Sequence, residues 1–222
     1  MRLGKRLEAV FDLIPQGTVC DIGTDHGKIC VHSVRAQKCT HAYACDVREG
    51  PLNSAIKLIK QYGLENVILP FLSDGMSDLP RSVIEDTDCF VLAGMGGELI
   101  IKILRETPVK TPLVLQPQSA TDELIEYLYE NGYVIKKRVF CREGEHLYTA
   151  MYVEYDGLRK QPRYFDGVVK SEAYTEYLES NVLRTHYALK CINGSENSDK
   201  ARVPELERKL EIYLTEYEKN EN

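Results

Sequence analysis

The chain has 222 residues, of which 43% are hydrophobic, and this length and composition allow one or two domains with a substantial core. Its 28 basic and 34 acidic residues give a net charge of -6, which confines any nucleic-acid contact to local basic patches. The sequence contains no apolar run of about 18 residues or more, and its N-terminus lacks the pattern of a signal peptide. We therefore expect a soluble cytoplasmic protein without membrane contact.

Cysteine and histidine patterns also exclude some classes of site. The seven cysteines contain no C-x-x-C pair, and the five histidines contain no H-x-x-x-H pair. No histidine stands at zinc-ligand spacing from a cysteine or a carboxylate. These patterns predict reduced, buried thiols and no bound metal.

The first predicted element is a helix over 3–14, where apolar residues recur at helical spacing until Pro15. Short apolar runs then alternate with helix-like stretches. The predicted strands are 18–22, 42–46, 67–72, 89–93 and 113–116. The predicted helices cover about 27–37, 51–63, 77–85, 97–106 and 119–131. This β-α alternation favours a parallel sheet with helices on both faces.

Two longer strand-like runs, 133–141 and 147–155, close the first part of the chain and predict an antiparallel hairpin. Residues 1–157 are therefore predicted to form an α/β domain. Beyond residue 157 glycine becomes scarce, and apolar residues recur at alternating spacings of three and four. Residues 158–222 are predicted to form an antiparallel, coiled-coil-like helical hairpin with a loop at 193–200.

The sharpest motif is V-C-D-I-G-T-D-H-G at 19–27, where a strand breaks into a turn before a helix. Gly23 allows a ligand to approach the backbone closely, and the helix start offers free N–H groups. A dinucleotide fingerprint requires glycines where this chain has Asp25 and Lys28, and Asp25 would repel a diphosphate. The positively charged sulfonium and ammonium groups of S-adenosylmethionine fit the carboxylates of Asp25 and Asp21 better than a diphosphate does. The alternative is that this motif only turns the strand.

Acidic residues also stand at or just after the ends of the next two predicted strands. Asp46 is placed to accept hydrogen bonds from ribose hydroxyls, and Asp74 from an adenine amino group; the alternatives are a helix cap and an Asp-Gly turn. The fourth strand runs into A-G-M-G-G at 93–97. These glycines either let a ligand come close to the backbone or only form a tight connection from the strand to the next helix. The predicted cofactor-binding residues are Asp21, Gly23, Thr24, Asp25, His26, Asp46, Val47, Asp74, Gly75, Ala93 and Gly94.

Several short motifs in this chain together carry a family resemblance. They are R-L and I-P at the two ends of the first helix (6–7 and 14–15), D-I-G-x-D-H at 21–26, E-G-P with S-A at 49–55, D-G at 74–75, A-G-M-G-G at 93–97, Q-P at 116–117 and N-G-Y at 131–133. With them, residues 1–155 resemble the bacterial tRNA (adenine-22-N1)-methyltransferases, the TrmK family. The resemblance implies a Rossmann-like, seven-stranded class I methyltransferase domain, S-adenosylmethionine as methyl donor and a tRNA adenine as acceptor. The chain departs from the common family pattern at 27–30 and at Gln118.

Adenine N1 carries an in-plane lone pair, so methyl transfer to it requires positioning more than a strong base. The candidates for contacting the acceptor edge are Asp25, Gly94, Met95 and Gln116. The target base needs an aromatic side chain to stack on, but Met95 follows the fourth strand where such a residue could stand. Tyr148 and Phe140 on the late strands are the other candidates for stacking, and the alternative is that both are core residues. The basic residues predicted to hold tRNA phosphates are Arg6, Lys28, Lys136, Lys137, Arg138, Arg142, Arg159, Lys160 and Arg163.

Three other functions stay open at the level of sequence. The net charge and the missing stacking aromatic favour methylation of a small molecule or a protein. The second alternative is a non-catalytic RNA-binding module that senses S-adenosylmethionine. The third is a nicotinamide oxidoreductase, which Asp25 disfavours. The main expectation is a tRNA-modifying enzyme that acts as a monomer or weak dimer.

Overall fold

A computed structural model describes residues 1–194 and 200–221 and divides the chain into two compact units, Met1–Val168 and Val169–Asn222. The strands of the first unit are β1 (Val19–Ile22), β2 (Ala42–Asp46), β3 (Ile68–Leu72), β4 (Cys89–Met95), β5 (Leu113–Pro117), β6 (Tyr133–Glu143) and β7 (His146–Tyr155). They form one seven-stranded sheet in the order β3-β2-β1-β4-β5-β7-β6. Strands β1 to β5 are parallel, and β7 runs antiparallel to both β5 and β6. The predicted fold class is confirmed.

Six helices cover the two faces of the sheet. Successive strand residues point to opposite sides, so the apolar central strands present apolar side chains on both faces. The helices are α1 (Lys5–Leu13), α2 (Lys28–Arg35), α3 (Glu49–Gln61), α4 (Arg81–Asp86), α5 (Gly97–Glu106) and α6 (Thr121–Glu130). In β4, Phe90 and Leu92 join the core formed with α4, α5 and α6, whereas Cys89 and Val91 join the core formed with α1, α2 and α3. Burial on both faces explains why the central strands read as continuous apolar runs.

Most observed boundaries in the first unit lie within two residues of the prediction, and two differ by more. The helix expected over 77–85 begins at Arg81, because Pro80 takes the N-cap position. Residues 158–168 pack with the first unit, although the composition changes at 157. The Arg138 amide donates to the Gly167 carbonyl at 2.7 Å, and the Tyr129 hydroxyl donates to Asp166 at 2.7 Å. These contacts hold the segment on the edge of the sheet.

The second unit consists of α7 (Glu172–Asn193), a short 3-10 turn (Lys200–Arg202) and α8 (Val203–Glu221). The Tyr174 hydroxyl near the start of α7 donates to Glu216 near the end of α8 at 2.7 Å, so the helices are antiparallel, as predicted. Most of the predicted loop at 193–200 lies outside the described residues. Five of the seven cysteines are buried, as predicted, whereas Cys141 is half-buried and Cys191 on α7 is exposed. Among the described helices, none has the length and apolar composition that crossing a bilayer requires.

Gly97, at the start of α5, is required by packing. A Cβ atom there would lie 2.3 Å from the Ala120 carbonyl oxygen and 2.8 Å from that of Ser119. The Gly97 amide also donates to the Ser119 carbonyl at 2.9 Å, which fixes this approach. For this glycine the interpretation as a tight connection is correct.

Gly97→Ala is expected to lower the free energy of unfolding by about 3 kcal/mol, because backbone atoms must move to admit the methyl group. Gly50→Ala in α3 is the matched control, since a Cβ there meets nothing within 4 Å. Alanine at that helical position should raise stability by about 0.5–1 kcal/mol. Urea unfolding of both variants checks the prediction, and equal midpoints would contradict it.

Candidate functional site

A cavity of about 540 Å³ lies at the carboxyl ends of β1 to β4. Its walls come from the turn after β1, the segments after β2 and β3, and the glycine-rich end of β4. The strand order reverses between β1 and β4, and ligands in doubly wound sheets bind at this switch point. The topology therefore brings distant sequence motifs to one place.

Asp21 is a buried carboxylate of the cavity. It is the penultimate residue of β1, and its Oδ2 accepts a hydrogen bond from the Thr24 hydroxyl at 2.7 Å. Burial raises the pKa of Asp21 to about 6; the Thr24 hydrogen bond opposes this change, and the nearby charges of Asp46 and Asp25 add to it. A cation bound beside Asp21 would offset that cost, so the cavity favours a positively charged ligand.

Asp46 joins the turns after β1 and β2. Its Oδ2 accepts from the Asp25 amide at 3.2 Å, and its Oδ1 accepts from the Arg48 amide at 3.0 Å. The side chain is buried, whereas the Arg48 guanidinium 3.7 Å away is largely exposed. Two amides thus fix the Asp46 carboxylate, and its remaining lone pairs are available to hydroxyl donors in the cavity.

The turn after β1 has an unusual backbone. Gly23 adopts φ +73°, and a Cβ there would lie 3.0 Å from the Met95 Cε atom. The amides of Gly23 and Thr24 both donate to the Cys45 carbonyl at 2.8 Å, which holds the turn against β2. Asp25 has φ +53°, and its exposed carboxylate lies 3.4 Å from His26 Nε2. This geometry presents Asp25 at the cavity wall.

A buried amide organises the opposite wall. The Oε1 atom of Gln116 accepts from the Gly94 amide at 3.1 Å and from Arg6 Nη1 at 2.8 Å. Gln116 is fully buried, and its Nε2 donates to the Pro117 carbonyl at 2.9 Å. The Arg6 guanidinium lies 5.8 Å from the centre of the Tyr148 ring. Arg6 of α1 therefore reaches the end of β4 through Gln116.

Apolar side chains complete the cavity. Val47 and Leu99 line it and are 57% and 44% exposed, which leaves apolar surface for a flat ring. Ile103 lies behind Gly75, where a Cβ would come within 3.0 Å of its Cγ1 atom. Among residues 1–194 and 200–221, no group of three His, Cys, Asp or Glu side chains is arranged to hold a metal ion.

Comparison with known proteins identifies the family. Residues 3–151 match the model of the methyltransferase domain. The tRNA (adenine(22)-N(1))-methyltransferase of Bacillus subtilis is 31% identical over 170 residues, which are 71% of this chain and 70% of that protein. The chain belongs to this methyltransferase family. The resemblance seen in the sequence motifs is thereby confirmed.

Two solved structures agree with this methyltransferase fold. An uncharacterized protein from Listeria monocytogenes aligns over 96% of this chain and 99% of its own, with 27% identity and a TM-score of 0.86. A Streptococcus pneumoniae protein proposed to be a tRNA (m1A22) methyltransferase was solved in complex with S-adenosyl-L-methionine. It aligns over 97% of this chain and 100% of its own, with 25% identity and a TM-score of 0.82.

Every residue predicted from sequence to bind the cofactor lines the cavity at the carboxyl ends of β1 to β4, called the methyltransferase cavity or cofactor cavity below. Three of the four predicted catalytic residues, Asp25, Gly94 and Met95, also line it. Gln116 does not line the cavity, because it is fully buried behind Gly94. Its hydrogen bond from the Gly94 amide supports the end of β4.

Two residues predicted to contact RNA have other surroundings. Arg138 is completely buried; its Nε donates to Thr149 at 3.0 Å and its Nη1 to the Tyr164 carbonyl at 2.6 Å. It ties the 158–168 segment to the sheet and is not available to phosphate. Arg6, which was predicted to hold a tRNA phosphate, lines the cavity.

The other predicted RNA-contact residues lie at or near the surface of the methyltransferase unit. Three of them pair with acidic neighbours: Lys136 with Glu154, Lys160 with Asp156 and Arg163 with Asp166. The remaining four are exposed: Lys28, Lys137, Arg142 and Arg159.

Sequence reasoning missed part of the cavity wall. Arg48, Leu99 and Ile103 line the methyltransferase cavity without belonging to a recognised motif. Leu99 carried a usable signal, since it is an apolar residue off the buried Ile100–Ile103–Leu104 stripe of α5. Of the two stacking candidates, Phe140 is buried, whereas Tyr148 is half-buried beside Arg6.

Proposed function

We propose that this chain transfers a methyl group from S-adenosylmethionine to N1 of adenine 22 in tRNA. The observation that carries the proposal is the 31% identity to the Bacillus subtilis tRNA (adenine(22)-N(1))-methyltransferase over 71% of the chain. The acidic cavity at the switch point supports a cationic donor. It lies within the residues that match the methyltransferase domain.

The residues of the cavity fit S-adenosylmethionine. Asp21 is the buried carboxylate that would hold the ammonium group, and Asp46 would accept from the ribose hydroxyls. Val47 and Leu99 offer apolar surface to the adenine ring, and Asp74 also lines the cavity. The donor supplies an electrophilic methyl group on a sulfonium, and the protein supplies orientation and charge.

We assign the acceptor side of the cavity to Asp25, Gly94 and Met95, all of which line it. Because the N1 lone pair is free at neutral pH, these residues have to position the base and not remove a proton from N1. The purine becomes cationic as the methyl group is transferred, and the carboxylate of Asp25 favours that charge. N1 is paired in a duplex, so the adenine must be unpaired or flipped out.

Phosphate contacts for the tRNA are assigned to exposed basic side chains of the first unit. Lys28, Lys137, Arg142 and Arg159 are exposed candidates, and Lys28, Lys137 and Arg159 form no ion pair among the described residues. Lys136, Lys160 and Arg163 would first have to leave their ion pairs. We expect Lys28, Lys137 and Arg159 to contribute more to tRNA affinity than these three ion-paired residues, since breaking a pair offsets part of the gain.

Arg6→Met is expected to lower turnover about tenfold. Arg6 holds the Gln116 side chain, and Gln116 in turn accepts from the Gly94 amide, so the variant removes the support of the Gly94 backbone. The affinity for S-adenosylmethionine should stay within about twofold, because Arg6 is placed on the acceptor side. Single-turnover rates with tRNA and calorimetry with the donor separate the two effects. Lys5→Met, on an exposed position of the same helix, is the control and should match wild type.

A double-variant cycle identifies the route of this effect. Gln116→Ala and Arg6→Met should be strongly non-additive, because both remove the same support of the Gly94 amide. Additive losses in turnover would contradict the arrangement. Thermal unfolding of each variant controls for loss of structure.

The proposed function is tested with two unmodified tRNA transcripts that differ only at position 22. Labelled methyl groups from S-adenosylmethionine should enter the transcript with adenine 22 and not the one with guanine there. Methylation of both transcripts would contradict the target position. Methylation of neither, together with methylation of protein or of small molecules, would contradict the tRNA substrate.

A further inference from the structure

A second, smaller pocket of about 340 Å³ lies next to the cofactor cavity. Four of its lining residues, Ser54, Lys57, Leu58 and Gln61, belong to α3. Their spacing of three, four and seven residues places them on one face of the helix. This face is distinct from the buried face of α3, which contains Leu52, Ala55 and Ile59.

The start of α2 supplies the other side of the pocket. A Cβ on Gly27 would lie 3.0 Å from Cβ of Ala55, so the two helices approach very closely at this point. That contact brings His26 and Lys28, which flank Gly27, to the polar face of α3. Lys28 and Lys57 therefore face one pocket although 29 positions separate them in the sequence.

The lining of this pocket is cationic in a chain whose net charge is -6. It contains Lys28, Lys57 and His26 together with the hydrogen-bonding side chains of Ser54 and Gln61. Within residues 1–194 and 200–221, no Asp or Glu lines it, and neither lysine forms an ion pair. The carboxylate of Asp25 contacts His26 from the side of the cofactor cavity. Two unpaired ammonium groups at one concave site favour an anion.

The two sites are continuous, because His26 and Lys28 line both of them. A base held in the cofactor cavity is attached to a sugar-phosphate backbone that must leave through the cavity mouth. We propose that the Lys28–Lys57 pocket binds a phosphodiester of the tRNA strand that flanks the target adenosine. This inference rests on the proposed function and adds a contact that positions the substrate backbone.

The test compares tRNA binding by Lys57→Ala and by wild type over a range of salt concentrations. Loss of one phosphate contact should weaken binding about five- to tenfold at low salt and reduce the slope of log K against log salt by about 1. Lys57→Glu should weaken it further. The loss should be equal for transcripts with adenine or guanine at position 22, because a phosphate contact carries no sequence information.

Lys60→Ala is the matched control, because Lys60 is exposed on the same helix but does not line the pocket. Its tRNA affinity should stay within about twofold of wild type. Unchanged binding of S-adenosylmethionine by Lys57→Ala would show that the variant is folded. A Lys57→Ala affinity and salt slope equal to those of Lys60→Ala would overturn the inference while leaving the proposed function intact.

Inorganic phosphate, at ionic strength matched with potassium chloride, is the second probe. A site for free anions would bind it in a manner sensitive to Lys57→Ala while tRNA affinity stayed constant, and this result would also overturn the inference. A wild-type protein that binds no tRNA at all would contradict the proposed function itself. The two failures are therefore distinguishable.

Discussion

Asp46→Ala is expected to weaken the binding of S-adenosylmethionine by at least about 100-fold, which corresponds to about 3 kcal/mol. The carboxylate accepts from the amides of Asp25 and Arg48, so its loss frees the turns after β1 and β2 as well as removing the ribose acceptor. Charge-assisted hydrogen bonds of this kind contribute about 1.5–3 kcal/mol each. Isothermal titration calorimetry measures the change directly.

Glu65→Ala is the control for the loss of one negative charge, since Glu65 is exposed and does not line the cavity. Its donor affinity should equal that of wild type. Asp25→Ala provides a contrast within the site: turnover should fall more than donor affinity, because we assign Asp25, a lining residue of the cavity, to the acceptor side. If Asp25→Ala lost donor binding and Asp46→Ala kept it, the two assignments would have to be exchanged.

Asp21→Asn is expected to have opposite effects on stability and on ligand binding. The pKa of Asp21 is raised to about 6 in the folded protein by burial, against an ordinary value of 3.8. Keeping the side chain charged at pH 7.5 therefore costs the ligand-free protein about 3 kcal/mol. Removal of the charge should stabilise the ligand-free protein by about 1–3 kcal/mol and should weaken donor binding about 100-fold.

The pH dependence has a defined sign. Between pH 3.8 and about 6 the folded protein binds more protons at Asp21 than the unfolded chain does. The contribution of Asp21 to stability is therefore present in full below this window and is lost as pH rises through it. Donor affinity should change in the other direction and rise as Asp21 ionises near pH 6.

Unfolding and donor titrations at pH 5 and pH 7.5 check both directions in wild type and in Asp21→Asn. The variant should lose the part of each pH dependence that comes from Asp21. Donor affinity that is the same at both pH values in wild type would contradict the role assigned to Asp21.

The sequence was sufficient for the ligand-facing ends of the parallel strands. Asp21, Asp46 and Asp74 each follow an apolar run, and parallel strands bring their carboxyl ends to one edge of a sheet. The predicted cofactor residues consequently meet in one cavity without any knowledge of long-range contacts. The closing hairpin was predictable for a similar reason, since 133–155 contains two long runs with a short joint.

The failures concern residues whose surroundings come from distant parts of the chain. Arg138 stands in a basic run, and only the return of the 158–168 segment, which brings the Tyr164 carbonyl, makes it a buried donor. Gln116 belongs to a motif, but the helix that supplies its partner Arg6 lies 110 positions away. Side-chain type alone does not distinguish a phosphate contact from a core ion, because both use the same guanidinium.

The most direct test of the account is nucleoside mapping of a tRNA transcript after incubation with the protein and S-adenosylmethionine. Mass spectrometry of the digested tRNA should detect one new modified nucleoside, N1-methyladenosine, and fragment mapping should place it at position 22. A methyl group on another atom of adenine, on another base, or nowhere in the tRNA would contradict the account.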